Sequence, residues 1–181
     1  MLPIMLDLRD RKVLVVGGGR IATRKAHALV HEGALVTVIA LSITEELREM
    51  HNVNVVERAY STGDALKFQL VITATGDHVV DQQIYDEANA AGIWVNSADD
   101  PQRCSFYLAA THRDGNVVIA VSTEGKSPAL ATHLRNQIAA TLPQNLGQAA
   151  LELSRQRAEL HEAGVSTESL DWSQRVIDAL D

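Results

Sequence analysis

The stretch that decides the fold is Lys12-Val13-Leu14-Val15-Val16-Gly17-Gly18-Gly19-Arg20-Ile21-Ala22. It begins with a short apolar run that is rich in β-branched residues and stops at three glycines. Such a run, bounded by turn residues, is typical of a buried parallel strand. Apolar and small residues then recur at helical spacing from Ile21 to Glu32, and Gly33 supplies the stop. The glycine run therefore fits the G-x-G-x-x-G/A pattern of a dinucleotide-binding turn between a strand and a helix. The alternative is a glycine turn with a structural role alone.

The small residues of this turn have separate mechanical tasks. We expect Gly17 to permit the tight turn, Gly19 to let the backbone approach a pyrophosphate, and Ala22 to allow close packing of the helix on the strand. The N-terminus of the helix supplies amide donors and the positive end of its dipole. The turn is therefore predicted to bind a dinucleotide.

The acidic residue that usually binds the adenosine ribose is missing from its expected place. About twenty residues after such a turn a carboxylate is normal, but here Leu41 and Ser42 stand at that place and the next carboxylate is that of Glu45. Ribose contact is therefore expected from Ser42 and backbone groups. Since no arginine lies there to favour a 2′-phosphate, NAD is preferred over NADP.

The residues that follow extend the alternation of strands and helices. Ser42 and Glu45 resemble a capping box, which predicts a helix over residues 43–50. Repeated βα units of this length predict an α/β fold with a Rossmann-like, doubly wound parallel sheet. Further strands are predicted at residues 35–40, 53–56, 70–74 and 93–95, and a further helix at residues 79–91.

The pattern changes after Asp100-Pro101, where a hairpin and then helices are expected. So short a remainder cannot easily enclose a substrate alone, and we therefore expect a homodimer whose active site uses the second subunit. The predicted elements are extended segments at residues 105–110 and 116–122, a turn at Arg113-Asp114-Gly115, and helices at residues 128–142, 146–160 and 167–180.

Composition bounds the classes of function. With 181 residues the chain has room for one ordinary domain and an appendage. A net charge of −7 counts against a general nucleic-acid or anionic-membrane binder. The charge is uneven, because residues 41–100 carry a net −8 and residues 101–160 a net +2. The second segment could therefore supply the basic surface that an acidic ligand needs.

The lone Cys104 excludes an intramolecular disulfide and a multi-cysteine metal site within one chain. No secretory signal pattern and no run of eighteen apolar residues is present, so a cytoplasmic protein is expected. His27 and His31 are four residues apart, but a third ligand is missing. No permanently bound metal is expected.

Candidate chemistry lies where predicted strands end, because ligands of such sheets bind at the carboxyl edge. Asp99 and Asp100 follow the fifth strand, and one of them could act as a general base, or both could be solvated turn residues. Thr75 follows the fourth strand, either at the cofactor crevice or in a turn that Asp77 caps. The polar loop at residues 122–128 enters a helix and could bind an anion or simply cap that helix.

Together these residues resemble the precorrin-2 dehydrogenase family of sirohaem biosynthesis, which includes the N-terminal portion of bacterial sirohaem synthases. The resemblance covers nearly the whole chain in order. It rests on Leu2-Pro3-Ile4, Leu8-Arg9-Asp10-Arg11, Val15-Val16-Gly17-Gly18-Gly19, Ala22, Arg24-Lys25-Ala26, Gly33-Ala34, Asn96, Asp99, Pro101, Ser105-Phe106, Val121-Ser122, Gly125, Ser127-Pro128, Leu142-Pro143 and Leu146-Gly147.

The resemblance implies NAD-dependent oxidation of precorrin-2 to sirohydrochlorin by a homodimer, and in some members the insertion of ferrous iron to give sirohaem. It implies an NAD-binding domain over residues 1–112, a small α+β dimerisation region over residues 113–145 and a helical C-terminal region over residues 146–181. Because the chain stops at Asp181, no methyltransferase domain is expected.

The resemblance also implies roles for single residues. Asp99 takes the place of the family's active-site acid, and Asp100 occupies a variable position. Thr123 stands where some relatives have serine. The family's cofactor contacts fall on Arg20, Ile21, Leu41 and Ser42. From the glycine turn and the end of the fourth strand, further cofactor contacts are expected at Gly17, Gly19 and Thr75, and contacts to the carboxylates of the substrate are expected at Arg103, Ser122, Thr123 and Lys126.

Two other functions remain open at this point. One is a non-catalytic NAD(H)-sensing module that dimerises through its last residues. The other is a ferrochelatase with a vestigial cofactor site.

Overall fold

The computed structural model describes all residues from 1 to 181. The chain forms two compact units, Met1–Tyr107 and Leu108–Asp181. None of its helices is both long enough and apolar enough to cross a membrane. The first unit contains β1 (Lys12–Val16), α1 (Arg20–His31), β2 (Leu35–Ala40), α2 (Glu45–Glu49), β3 (Val53–Glu57), β4 (Leu70–Thr73), α3 (His78–Ala90) and β5 (Trp94–Ser97).

These strands form one parallel sheet in the order β3-β2-β1-β4-β5. The strand order reverses beside β1, because the chain passes from β3 at one edge to β4 on the other side of β1. Such a switch point opens a crevice at the carboxyl ends of the central strands. The predicted Rossmann-like, doubly wound sheet is confirmed.

Helices cover both faces of the sheet, as alternating strand side chains require. On one face, Val13 and Val15 pack with the buried Ala22 and Ala26 of α1. On the other, Leu14 and Val16 pack with the buried side chain of Ile84 from α3. One apolar layer therefore lies on each face of the sheet. These layers hold α1 and α3 so that both helices begin at the carboxyl edge of the sheet.

The predicted capping box at Ser42 is wrong. The N-cap of α2 is Thr44, whose hydroxyl accepts a hydrogen bond from the amide of Leu47 at 3.3 Å. The chain stays non-helical from the end of β2 to Thr44, because the amide of Thr44 donates to the carbonyl of Gly18 at 2.9 Å. Contact with the glycine turn thus delays the helix by two residues.

The second unit pairs β6 (Ala110–Asp114) with β7 (Val117–Val121) in an antiparallel hairpin. Three helices follow, namely α4 (Pro128–Thr141), α5 (Leu146–Glu162) and α6 (Ser173–Leu180). Two predicted elements are corrected here: the first strand of the hairpin and the start of the last helix.

The first hairpin strand does not lie at residues 105–110. Ser105 instead closes on β5, where its amide donates to the carbonyl of Val95 at 2.8 Å and its hydroxyl accepts from the amide of Val95 at 2.6 Å. The strand begins at Ala110 and includes Asp114, which was predicted as a turn residue. A tertiary partner therefore competed with the local extended pattern.

The last helix begins at Ser173 rather than at residue 167. Thr167 is buried, its hydroxyl lies 3.2 Å from His161 Nε2, and its carbonyl accepts from the indole of Trp172 at 3.3 Å. These contacts hold the segment against the end of α5 in a non-helical conformation.

Candidate functional site

The first two glycines of the turn are required by the fold itself. Gly17 has φ +121°, a conformation that side chains rarely adopt, and a Cβ there would overlap the carbonyl of Ala74. A Cβ on Gly18 would overlap the carbonyl of Ser42. Both residues are buried, and each lets a neighbouring strand end approach the turn.

Gly19 is different, because nothing inside the chain explains it. It is exposed, its backbone is extended at φ −86°, and no atom lies within 4 Å of the position that a Cβ would take. Any residue would fit this conformation and this space. The absence of a side chain therefore leaves a bare backbone facing outward, as the close approach of a pyrophosphate requires. The turn fits a dinucleotide.

The start of α1 is arranged for an anion. Gly19 is its N-cap and no side chain caps the helix, and no acidic residue occurs in its first turn. Arg20 and Ile21 occupy the first two helical positions, and both are exposed. A cation at a helix N-terminus is unfavourable unless an anion binds there, since the dipole is positive at that end.

The loop after β2 lies against the same turn. The contact between Ser42 and Gly18 places this loop beside the glycines, and the Thr23 and Thr44 hydroxyls are 2.8 Å apart between α1 and the start of α2. Leu41, the residue directly after β2, is 80% exposed, an unusual state for a leucine beside a buried strand. The structure therefore brings Leu41 and Ser42 to the edge that carries Gly17, Gly19, Arg20 and Ile21.

Thr75 lies beside Gly17 at the end of β4, but its hydroxyl is engaged within the chain. It donates to the buried carboxylate of Asp81 at 2.8 Å and accepts from the amide of Asp77 at 3.0 Å. Asp77 in turn caps α3. The cofactor contact of Thr75 stays a prediction. Because its hydroxyl is already bonded within the chain, Thr75 would make that contact through its other atoms.

The turn after β5 separates the two neighbouring aspartates. Asp99 is exposed and has φ +62°, a left-handed conformation. Just before it, the amide of Ala98 donates to the carbonyl of Thr73 at 2.8 Å, which fixes the turn beside the end of β4. Asp100 is engaged internally, because its Oδ1 accepts from the amide of Gln102 at 3.0 Å and its Oδ2 pairs with Arg103 at 2.5 Å. Only Asp99 presents a free carboxylate.

Arg103 is held on three sides. Its guanidinium pairs with Asp100, donates to Gln82 Oε1 at 2.8 Å and lies 3.2 Å from His78 Nδ1. Its Nε is buried without a partner, and its side chain is 15% exposed. The predicted role of Arg103 as a substrate ligand stays a prediction, but little of its hydrogen-bonding capacity is left for a substrate.

Lys25 is a residue of this edge to which sequence reasoning assigned no role. It is half-buried on α1, and burial lowers the pKa of its ammonium group, as does the charge of Arg24, whereas Cys104 and Asp99 raise that pKa. Lys25 therefore lies within electrostatic reach of Asp99. Its helical position, three residues after Ala22 and four before Leu29, could have indicated that it flanks the packed face of α1.

Cys104 is packed rather than exposed for reaction. Its thiol donates to the carbonyls of Ser97 at 3.3 Å and Asp100 at 3.2 Å. Burial raises the pKa of this thiol. These bonds assign it a structural role in closing the turn that carries Asp99.

In the second unit, the predicted anion loop is held by its own hydroxyls. Thr123 Oγ1 donates to the carbonyl of Ser127 and accepts from its amide, both at 3.0 Å. Ser122 Oγ accepts from the amide of Glu124 at 3.1 Å, while Lys126 is exposed. Substrate contacts at Ser122, Thr123 and Lys126 stay predictions.

Comparisons with known proteins identify families and relatives that this chain resembles. A family model described as "Putative NAD(P)-binding" matches residues 4–110, and one described as "Sirohaem biosynthesis protein central" matches residues 114–141. A sirohaem synthase of Tolumonas auensis is 43% identical over 150 residues, which is 82% of this chain and 32% of that protein. One of Nitrosococcus oceani is 35% identical over 178 residues, 96% of this chain and 38% of that protein.

The chain thus spans about a third of the length of the sirohaem synthases that it matches. Among solved structures, SirC, a precorrin-2 dehydrogenase, matches with a TM-score of 0.77 and 27% identity, over 100% of this chain and 90% of that one. The match of the NAD(P)-binding model supports a nicotinamide cofactor. The chain therefore belongs to the family that the "Putative NAD(P)-binding" model describes, and the sirohaem biosynthesis central region follows in the same chain.

Proposed function

We propose that this chain catalyses the NAD-dependent oxidation of precorrin-2 to sirohydrochlorin. The observation that carries the proposal is that a bare glycine backbone and an exposed, unbonded carboxylate, Asp99, lie at the same edge of one sheet. A dehydrogenase of this kind needs a place for the dinucleotide and a group that takes up a proton. The names of the relatives supply the substrate.

The residues of the chain have separate tasks in this reaction. Gly19 and the first amides of α1 would hold the pyrophosphate, and Arg20 adds a positive charge there. A bound nicotinamide would supply the acceptor for the hydride that leaves the reduced tetrapyrrole. Asp99 accepts or relays the proton released with it, because its carboxylate is exposed and makes no hydrogen bond that would have to break first.

NAD is the proposed cofactor rather than NADP. The loop after β2 offers Leu41 and Ser42, and no lysine or arginine occurs between Lys25 and Arg48. A 2′-phosphate would therefore find no cation on this loop, and Glu45 and Glu46 at the start of α2 would repel it.

The substrate is a polycarboxylate, so basic and hydroxyl groups are proposed to orient it. Ser122, Thr123 and Lys126 in the second unit keep this assignment as part of the proposal, whereas Arg103 in the first unit is already engaged by Asp100, Gln82 and His78. Insertion of ferrous iron as a second substrate is a further proposed activity, in which Asp99 would take up protons from the pyrrole nitrogens.

A homodimer is also proposed, with residues 113–145 as the dimerisation region, residues 146–181 as the helical C-terminal region and residues 1–112 as the cofactor domain. Its support is a stripe on α4, where Leu130, Leu134 and Ile138 recur every four residues and are 49%, 37% and 39% exposed. Exposed apolar stripes of this kind mark contact surfaces. A monomeric mass in sedimentation equilibrium at working concentration would contradict the dimer.

The function is tested by incubating the protein with precorrin-2 and NAD, or with NADP, and following the absorbance of sirohydrochlorin. Turnover with NAD and at least tenfold weaker turnover with NADP is the expected result. Binding of NAD without turnover would favour the sensing module. Sirohydrochlorin with ferrous or cobaltous ion tests chelation, and chelation without dehydrogenation would favour the bare chelatase.

A further inference from the structure

The turn that carries Asp99 needs an explanation of its own, because Asp99 has a left-handed backbone at φ +62°. Residues other than glycine keep such a conformation only when their surroundings impose it. The side chain of Asp99 contributes nothing to this, since it is exposed and makes none of the bonds of the turn. The groups that impose the conformation must therefore be other residues of the turn and their partners.

Asp100 is the centre of the bonds that close the turn. Its carboxylate accepts from the amide of Gln102 at 3.0 Å, and its carbonyl accepts from the amide of Arg103 at 3.2 Å and from the thiol of Cys104 at 3.2 Å. Asp100, the residue that follows Asp99, is therefore held through both its side chain and its backbone. The short 3₁₀ turn Pro101–Arg103 is the result.

Arg103 ties this turn to the rest of the sheet domain. Its guanidinium reaches Gln82 and His78, both in the first two turns of α3, while it pairs with Asp100 at 2.5 Å. The cap at Asp77 fixes that end of α3. A single side chain thus connects the Asp99 turn with a rigid helix.

The charge balance argues against a free cationic site at Arg103. Arg103 and Asp100 are 15% and 24% exposed at their side chains, so their mutual attraction is screened little by water. The pair is close to neutral as seen by an approaching carboxylate. A substrate could claim Arg103 only by breaking bonds that the turn needs.

We infer that Arg103 is a positioning residue which, through Asp100 and the start of α3, holds the turn so that Asp99 presents its carboxylate at the carboxyl edge of the sheet. The inference rests on the proposed function for its catalytic consequence. It replaces the predicted role of Arg103 as a ligand of the substrate. It also gives the two aspartates unequal tasks, one structural and one chemical.

The kinetic test uses Arg103→Gln, Asp100→Asn and the double variant with precorrin-2 and NAD. A displaced carboxylate lowers kcat, and a misplacement of about 1 Å costs on the order of 100-fold. We expect each single variant to lose about 10- to 100-fold in kcat with KM within about threefold, and the double variant to lose no more than the worse single one. Arg58→Gln, which breaks the Arg58–Asp64 pair elsewhere in the same unit, is the matched control and should leave kcat unchanged.

A substrate ligand would behave differently. Arg103→Gln would then raise KM about tenfold or more at unchanged kcat, Asp100→Asn would have little effect, and the inference would be overturned. If Arg103→Gln does not fold, Arg103→Lys carries the test, because it keeps the charge but loses the forked geometry that reaches three partners. The same fall in kcat at constant KM is expected of it.

Amide hydrogen exchange separates this inference from the proposed function. In the free protein, Arg103→Gln and Asp100→Asn should speed exchange at residues 98–104 by about tenfold or more, while Arg58→Gln should not. If the unaltered protein fails to oxidise precorrin-2 but this exchange result holds, the proposed function is wrong and the positioning role of Arg103 is supported. Unchanged exchange in both variants would overturn that positioning role, whatever the activity.

Discussion

Two turns at the carboxyl edge of the same sheet are built in opposite ways. The turn at Gly17–Gly19 is shaped by the absence of side chains: two strand ends close on its glycines and its third glycine is bare. The turn from Ala98 to Cys104 is shaped by side chains, and an ion pair, a thiol and two groups of α3 hold it around one exposed carboxylate. The first prepares a surface of backbone amides, and the second prepares a single acid.

This difference decides how each turn responds to change. A backbone surface tolerates no added atom where strands approach, yet it contains no titratable group. A side-chain scaffold tolerates small changes in shape, but it fails when one of its charges loses a partner. The predictions below test whether this distinction holds.

The largest effect is expected at the acid itself. Asp99→Asn keeps the size of the side chain and removes its charge, so turnover of precorrin-2 should fall by about 10²- to 10⁴-fold, the usual contribution of a positioned acid or base. The affinity for NAD and the Tm should remain within error of the unaltered protein, since Asp99 bonds to nothing in the turn. Normal turnover by a folded, NAD-binding Asp99→Asn protein would remove Asp99 from the mechanism.

The glycines of the first turn should divide into a structural and a functional residue. Gly17→Ala forces a Cβ against the carbonyl of Ala74 in a left-handed conformation, and we expect it to cost about 3 kcal/mol or more in the free energy of unfolding. Gly19→Ala should unfold at the same denaturant concentration as the unaltered protein, but its affinity for NAD should fall about tenfold or more. Chemical denaturation and isothermal titration of both variants measure this. A Gly19→Ala protein as unstable as Gly17→Ala would break the distinction.

Lys25 should show a stability that depends on pH. Its pKa in the folded chain lies below the ordinary value of 10.5, so the unfolded chain holds this proton to higher pH. The charged lysine therefore weakens the fold at neutral pH, and this loss is relieved as the pH rises through the folded pKa toward 10.5. Lys25→Met should raise Tm by about 2 °C at pH 7, and the gain should shrink by pH 10. A gain that grows with pH would show the opposite sign of coupling.

The smallest effect is expected where a side chain supports the glycine turn. The Thr44 hydroxyl caps α2 and lies 2.8 Å from the Thr23 hydroxyl. Thr44→Ala should cost about 1 kcal/mol in the free energy of unfolding, and Thr44→Ser, which keeps the hydroxyl, should cost clearly less. Equal losses in the two variants would mean that the methyl group matters and the cap does not.

The sheet domain could be predicted from the sequence because its signals are local. β1 and β2 begin and end at the predicted residues, since the apolar run of β1 stops at Gly17 and that of β2 begins shortly after Gly33. Gly17 and Gly19 were also given their tasks from spacing alone. Such motifs require backbone geometry, which the residue type itself restricts.

The partners of Arg103 could not be predicted, because Gln82 and His78 lie more than twenty residues earlier and no pattern links them to the turn. The same limit explains Ser105, which was predicted to begin the first strand of the hairpin but bonds to β5 instead. Thr44 replaced Ser42 as the helix cap because of a contact with Gly18. In each case a tertiary hydrogen bond outweighed a local preference.

The open space around Gly19 has a consequence for reading relatives of this chain. Selection for folding alone does not maintain a glycine there, whereas it does at Gly17 and Gly18. A descendant that no longer bound a nucleotide would therefore be free to accumulate other residues at this one position while its neighbours stayed glycine. The residue found at position 19 serves as a record of whether a lineage still uses its cofactor.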